Sequence, residues 1–183
     1  YASSQVSYFG SPNEHVTGMN IYGLWDALPE GAVTEIQAPI DIIVLDSTFV
    51  ANEESPYFDG RNFSTVALEK DGPYQVPSDS YAPPEEVADL HCSAHGLGVA
   101  STIGSRIGNG VTAAGVTNNA NIYAIRTMTC GTGFLSDTSN AMLWLAGEHF
   151  DGVTPYQGEP GIVNMSLGGK SDGCPNYMQA GID

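Results

Sequence analysis

The chain has 183 residues, 42 % of them apolar and 14 % charged, a balance that excludes an intrinsically disordered segment. Five Lys and Arg stand against 21 Asp and Glu; the formal net charge of −16 repels phosphate backbones and excludes nucleic acid as a partner class. Solubility, or adaptation to a salty or cold setting, is the plainer reading of that charge, ahead of steering of basic or neutral peptides.

No run of about 18 apolar residues is present, so no membrane span is predicted. The chain opens at Tyr1 without a basic and then apolar leader, which predicts a mature product whose targeting segment has been removed. Residues 1–39 are polar and punctuated by Gly and Pro, and read as an N-terminal arm docked on a larger unit at 40–183. Within the arm, Ile21, Leu24, Trp25 and Leu28 recur on one face of a helix predicted over Met19–Leu28, with Gly31 as its stop. Ile40–Leu45, interrupted only by Asp41, predicts a strand buried on both faces, and it runs into Asp46-Ser47-Thr48. A long polar connection with Pro56, Pro73, Pro77, Pro83 and Pro84 then occupies residues 51–91.

His95–Gly104 is rich in small residues and predicts a helix in spite of its glycines, so close packing must offset their unfavourable propensity. Asn121–Thr127 predicts a strand, Ser136–His149 a helix with Ser136 as N-cap, and Gly161–Leu167 a further strand. Pro175 suits the first turn of a last helix that places Met178 and Ile182 on one face. The chain stops at Asp183 inside that pattern, as expected of a polypeptide cut within a domain. Strands alternating with helices predict an α/β fold, a parallel sheet with right-handed crossovers and helices on both faces.

Ligands of such sheets bind beyond the carboxyl ends of the strands, where Asp46 is expected. An Asp there can orient a neutral imidazole and stabilise the imidazolium formed when the ring takes a proton, and His95 at a helix start is the natural partner. These two groups lack a nucleophile and oxyanion donors. Gly96-Leu97-Gly98 superficially resembles a dinucleotide fingerprint but does not follow a strand. Cys92 as a nucleophile would lack an oxyanion hole and an orienting partner, so a free thiol near the site, or a bond to a cysteine outside this chain, is the better reading. Ser166 inside an apolar strand reads as structural, and His15, His91 and His149 as surface or packing residues.

Ile42–Thr48 resembles the strand of the subtilase family that ends in the catalytic Asp, V-[IL]-D-[ST]-G. Ala94–Ile103 resembles that family's G-H-G-T-H-V-A-G-T-[IV], and Asn164–Gly169 repeats its N-[ML]-S-L-G-G unchanged. Ile122–Arg126 is similar to the L-Y-A-V-[KR] strand and Gly131-Thr132-Gly133 to the substrate-pairing G-x-G edge. The ordered set over 40–183 resembles the N-terminal part of a subtilisin-like catalytic domain of the secreted bacterial type. It departs at Thr48, which replaces a Gly, and at Leu97-Gly98, which replace Thr-His.

The resemblance implies a serine endopeptidase acting through an acyl-enzyme, with Asp46 orienting His95 and His95 acting as general base and then acid. It implies that Ser166, Leu167, Gly168 and Gly169 form one wall of the S1 pocket and pair with the peptide backbone, opposite a second strand at Gly131, Thr132 and Gly133. Phe134 or Leu135 would line the S4 pocket. The family's G-T-S-[MA]-A serine and oxyanion Asn do not occur in this chain, which implies a partner fragment of the same protease that carries the Ser. A Cys130–Cys174 disulfide and an extracellular location are implied in the same way. No cofactor is required; calcium is a family-level expectation without assigned residues, since Glu53, Glu54, Asp59, Asp71, Asp79 and Asp89 show no D-x-D-x-D-G spacing. The alternative is an inactive pseudoprotease or peptide-binding module that keeps the pairing edges.

Overall fold

The apolar run at Ile40 forms the central strand of the three-stranded parallel sheet of the described residues, and its apolar side chains are covered from both faces. The computed structural model describes residues 19–30, 32, 39–47, 49, 94–107, 114–151, 153–158, 161–170 and 172–182. In chain order the elements are α1 (Ile21–Ala27), β1 (Ile40–Asp46), α2 (His95–Gly104), β2 (Ala120–Arg126), α3 (Leu135–Leu145), β3 (Ile162–Asn164) and α4 (Asn176–Ile182). The strand order is β2-β1-β3. Ile40 lies opposite Ala120 and Asp46 opposite Arg126, while Ile42 lies opposite Ile162 and Val44 opposite Asn164.

Alternation along β1 divides the core in two. Val44 joins Ile122 and Ala124 beneath Ala100 of α2 and Phe49. Ile43 and Leu45 join Ile125 beneath Ala141, Met142 and Trp144 of α3. Helices therefore cover both faces of a parallel sheet, as the strand–helix alternation predicts. The extent of burial differs from expectation: Val44 and Leu45 are sealed, but Ile40, at the start of β1, is exposed.

Helix α2 has the predicted bounds. Helix α3 starts at Leu135, one residue before the prediction, with extended Phe134 at its N-cap and an exposed Ser136 that does not cap. It ends at Leu145 because Glu148 N–H donates to Leu143 O and Gly147 N–H to Trp144 O, with Gly147 at φ 96°. This Schellman closure stops the helix four residues before His149. Strand β3 holds three residues rather than seven, and Met165 to Lys170 follow an irregular path. In α4, Pro175 sits just before the helix, with its carbonyl accepting from Met178 N–H. Met178 packs on the α3 core, and Ile182, one turn further on, is largely exposed at the rim of a groove that Met142 also lines.

Of the N-terminal arm, α1 is shorter than expected, and Asn20 caps it through its side-chain oxygen, which accepts from Gly23 N–H. Ile21 is buried, but Leu24 and Leu28 are exposed, so the predicted apolar face is only partly used. Trp25 Nε1 donates to Val116 O at 2.8 Å and Asn119 Nδ2 to Ala32 O at 2.6 Å, linking α1 and Ala32 to the segment that leads into β2. Gly31, the 51–91 connection, Cys92, His15 and His91 lie outside the described residues.

Candidate active site

Asp46 closes β1 at the carboxyl end of the sheet and is completely buried. Its backbone carbonyl accepts from Thr127 N–H at 2.9 Å, so the pairing with β2 continues one step beyond the regular strand. Its side chain points to the α2 face, where His95 is the first residue of the helix. The ring Nδ1 lies 2.8 Å from Asp46 Oδ1. A carboxylate only accepts, so the Nδ1 nitrogen carries the hydrogen of this contact and Nε2 is the nitrogen left facing outward. The His95 side chain is 51 % exposed, and the described residues make no hydrogen bond to Nε2. One side of the imidazole is thus fixed by a buried acid and the other is open to a reacting group.

The same Oδ1 also accepts from Ser47 N–H at 2.6 Å and from Ser47 Oγ at 3.2 Å. Asp46 Oδ2 is buried without a hydrogen-bond partner among the described residues. Concentrating the donors on one oxygen fixes the carboxylate's rotation, which in turn fixes the ring it holds. Helix α2 can bring His95 this near because Gly96 follows it. A Cβ at Gly96 would stand 2.8 Å from Phe49 Cζ and 3.1 Å from Asp46 Cβ. The motif glycine is therefore a packing requirement, and Phe49, completely buried beneath it, is a support that sequence reasoning missed. Its only signal was an aromatic residue three positions after the acid.

The two expected substrate edges differ from each other. Beyond β2, Thr129 and Thr132 exchange both backbone hydrogen bonds, at 2.8 and 2.9 Å, around Cys130 at φ 51° and Gly131 at φ 76°. Positive φ at both corners is the signature of a type I′ turn. Gly131 and Thr132 thus belong to a hairpin rather than to an open strand; of the three residues only Thr132 makes these backbone bonds, and Gly133 follows the turn. At the other edge Ser166, Gly168 and Gly169 are exposed and Leu167 is half-buried against the α3 core. Ser166 Oγ accepts from Asn164 Nδ2 at 2.9 Å, which ties the segment to the end of β3. Phe134 is exposed beside the hairpin.

The expected Cys130–Cys174 bridge is not formed. Cys130 is disulfide-bonded, Cys174 is a free and exposed thiol, and the partner of Cys130 lies outside the described residues. The hairpin directs Cys130 from a tight turn, while Cys174 is held in a separate exposed stretch before α4. Among the described residues no group of three or more His, Cys, Asp or Glu could hold a metal ion, and the acidic residues of the long connection are not among them.

The sequence model of the subtilase family matches residues 39–183. An extracellular basic protease of Dichelobacter nodosus is 44 % identical over 90 residues, which are 49 % of this chain and 15 % of that protein. An extracellular protease of Xanthomonas campestris pv. campestris is 28 % identical over 187 residues, covering 96 % of this chain and 30 % of that protein. The fold is similar to that of a solved protease from Pseudoalteromonas arctica, with a TM-score of 0.68 at 22 % identity over 98 % of this chain and 52 % of that one. The chain therefore spans less than a third of either curated relative and about half of the solved structure.

Proposed function

This chain belongs to the subtilase family, and we propose from that premise that it supplies the Asp and His of a serine endopeptidase, together with the backbone edges that hold an extended peptide. The observation that carries the reading is the 2.8 Å contact between His95 Nδ1 and a completely buried Asp46, with the other ring nitrogen facing outward. The nucleophilic serine and the oxyanion donors are assigned to polypeptide beyond these residues, because no serine here has the G-T-S-[MA]-A context.

The serine Oγ attacks the scissile carbonyl carbon as its proton passes to His95 Nε2. Asp46 stabilises the imidazolium, which a helix amino end alone would disfavour. His95 then returns the proton to the departing amine, leaving an acyl-enzyme that water cleaves with the same base. Ser166–Gly169 and Gly133 would pair with the substrate backbone from either side. Calcium takes no part in these steps and has no residues assigned to it. Export is proposed because both curated relatives are named extracellular, and no described helix is long and apolar enough to cross a membrane.

The test uses the full-length protein. Covalent labelling by a peptidyl phosphonate and cleavage of casein are expected for the wild type, with both lost in His95→Ala. Peptide binding without labelling or turnover in the wild type, unchanged by His95→Ala, would establish the pseudoprotease instead.

A further inference from the structure

The geometry points to Arg126 as a positioning residue for the substrate-pairing edge, an inference that rests on reading Gly131–Gly133 as that edge. Arg126 ends β2 directly opposite Asp46 of β1, and it is completely buried. Arginine is among the side chains least often buried in full, and one at this depth must be held by hydrogen bonds. Its Nη2 donates to Thr129 Oγ1 at 3.1 Å and its Nε to Met128 O at 3.4 Å, a long contact. Both acceptors lie in the stretch that leaves the sheet, and a guanidinium presents its donors in one rigid plane.

The bracing continues through the hairpin. Thr129 is locked to Thr132 by two backbone bonds, and Gly133 follows so closely that a Cβ there would stand 2.6 Å from Met128 Cγ. A short rigid relay thus runs from Arg126 through Thr129 and Thr132 to Gly133. Its fixed end is the register partner of the catalytic carboxylate. The hydrogen bonds of the relay run from Arg126 to Met128 and Thr129, toward the edge, so its role is to set where the non-scissile residues of a substrate lie relative to the base. Misplacement of about 1 Å can lower a rate ~100-fold, so a buried brace is consequential for residues that dock at the edge.

The experiment measures kcat and KM of the full-length protein on acyl peptides of one, two and four residues that share the scissile residue and leaving group. Thr129→Val removes the acceptor hydroxyl at nearly constant volume. It is expected to lower kcat/KM about 10-fold for the four-residue substrate, largely through KM, and under 2-fold for the one-residue substrate. Arg126→Met is expected to show a larger loss with the same dependence on length, and Arg126→Lys an intermediate one. Should Arg126→Met fail to fold, Thr129→Val decides. Equal losses across the series, or none, would overturn the positioning role while leaving the protease reading intact. A wild type that turns over none of the substrates would overturn both.

Discussion

At the carboxyl end of β1, Asp46, Gly96 and Phe49 interlock without room for a methyl group, and the half-exposed His95 is held by a single oxygen. At the β3 end, Ile162, Val163 and Met165 are exposed, and nothing lies within 4 Å of a Cβ placed at Gly168 or Gly169. The two ends belong to one sheet and, on the proposed reading, to one reaction. The difference follows from their tasks. A group that moves protons must be fixed before substrate arrives, whereas a backbone edge gains its partner only when a peptide lies along it.

Four substitutions in the full-length protein break or sharpen this contrast. Asp46→Asn offers the ring an amide that can donate as well as accept, which permits the wrong tautomer. It is expected to lower kcat by about 10^4-fold in peptide hydrolysis, with little change in KM. Gly96→Val drives a side chain into Phe49 and is expected to destabilise by roughly 1–3 kcal/mol, read as a lower denaturation midpoint. Survival of that midpoint would show the corner to be as yielding as the edge. Ser139→Ala removes the bond from Ser139 Oγ to Tyr177 O that ties α3 to α4; a loss of about 1 kcal/mol is expected in the same assay. Gly168→Ala meets open space, so its midpoint is expected to stay within about 0.5 kcal/mol of wild type while hydrolysis of extended peptides slows.

The closed corner was the legible half. A buried apolar run ending in Asp46, and a helix whose glycines needed a reason, are local signals, and the family motifs coincide with them. What packs against Gly96 was not readable, because Phe49 lies outside every motif. The type I′ turn was hidden for a different reason. Its first corner is Cys130, and positive φ is anticipated from Gly, Asn or Asp rather than from cysteine. Gly147 did carry a readable stop signal, a glycine directly after the apolar core of α3, but apolar periodicity suggested a longer helix. The cysteine pairing failed because three thiols at wide spacing carry no information on which two approach in space. The short β3 was overestimated because its apolar residues resemble a buried strand, yet they are exposed among the described residues.

The position of β1 between its partners also bears on how the chain reaches this state. Ile40 pairs with Ala120, a separation of 120 − 40 = 80 residues, and Ile42 with Ile162, a separation of 162 − 42 = 120. Among the described strands no neighbours are close in sequence, so the loop-closure entropy of these pairings is met before any contact between the strands rewards it. Helices α2 and α3 can begin locally, but the surface that both must cover forms last. Folding is therefore expected to be slow, with β1 exposed to wrong pairings until β2 arrives. The corner in which Asp46, Gly96 and Phe49 interlock is thus among the last to exist.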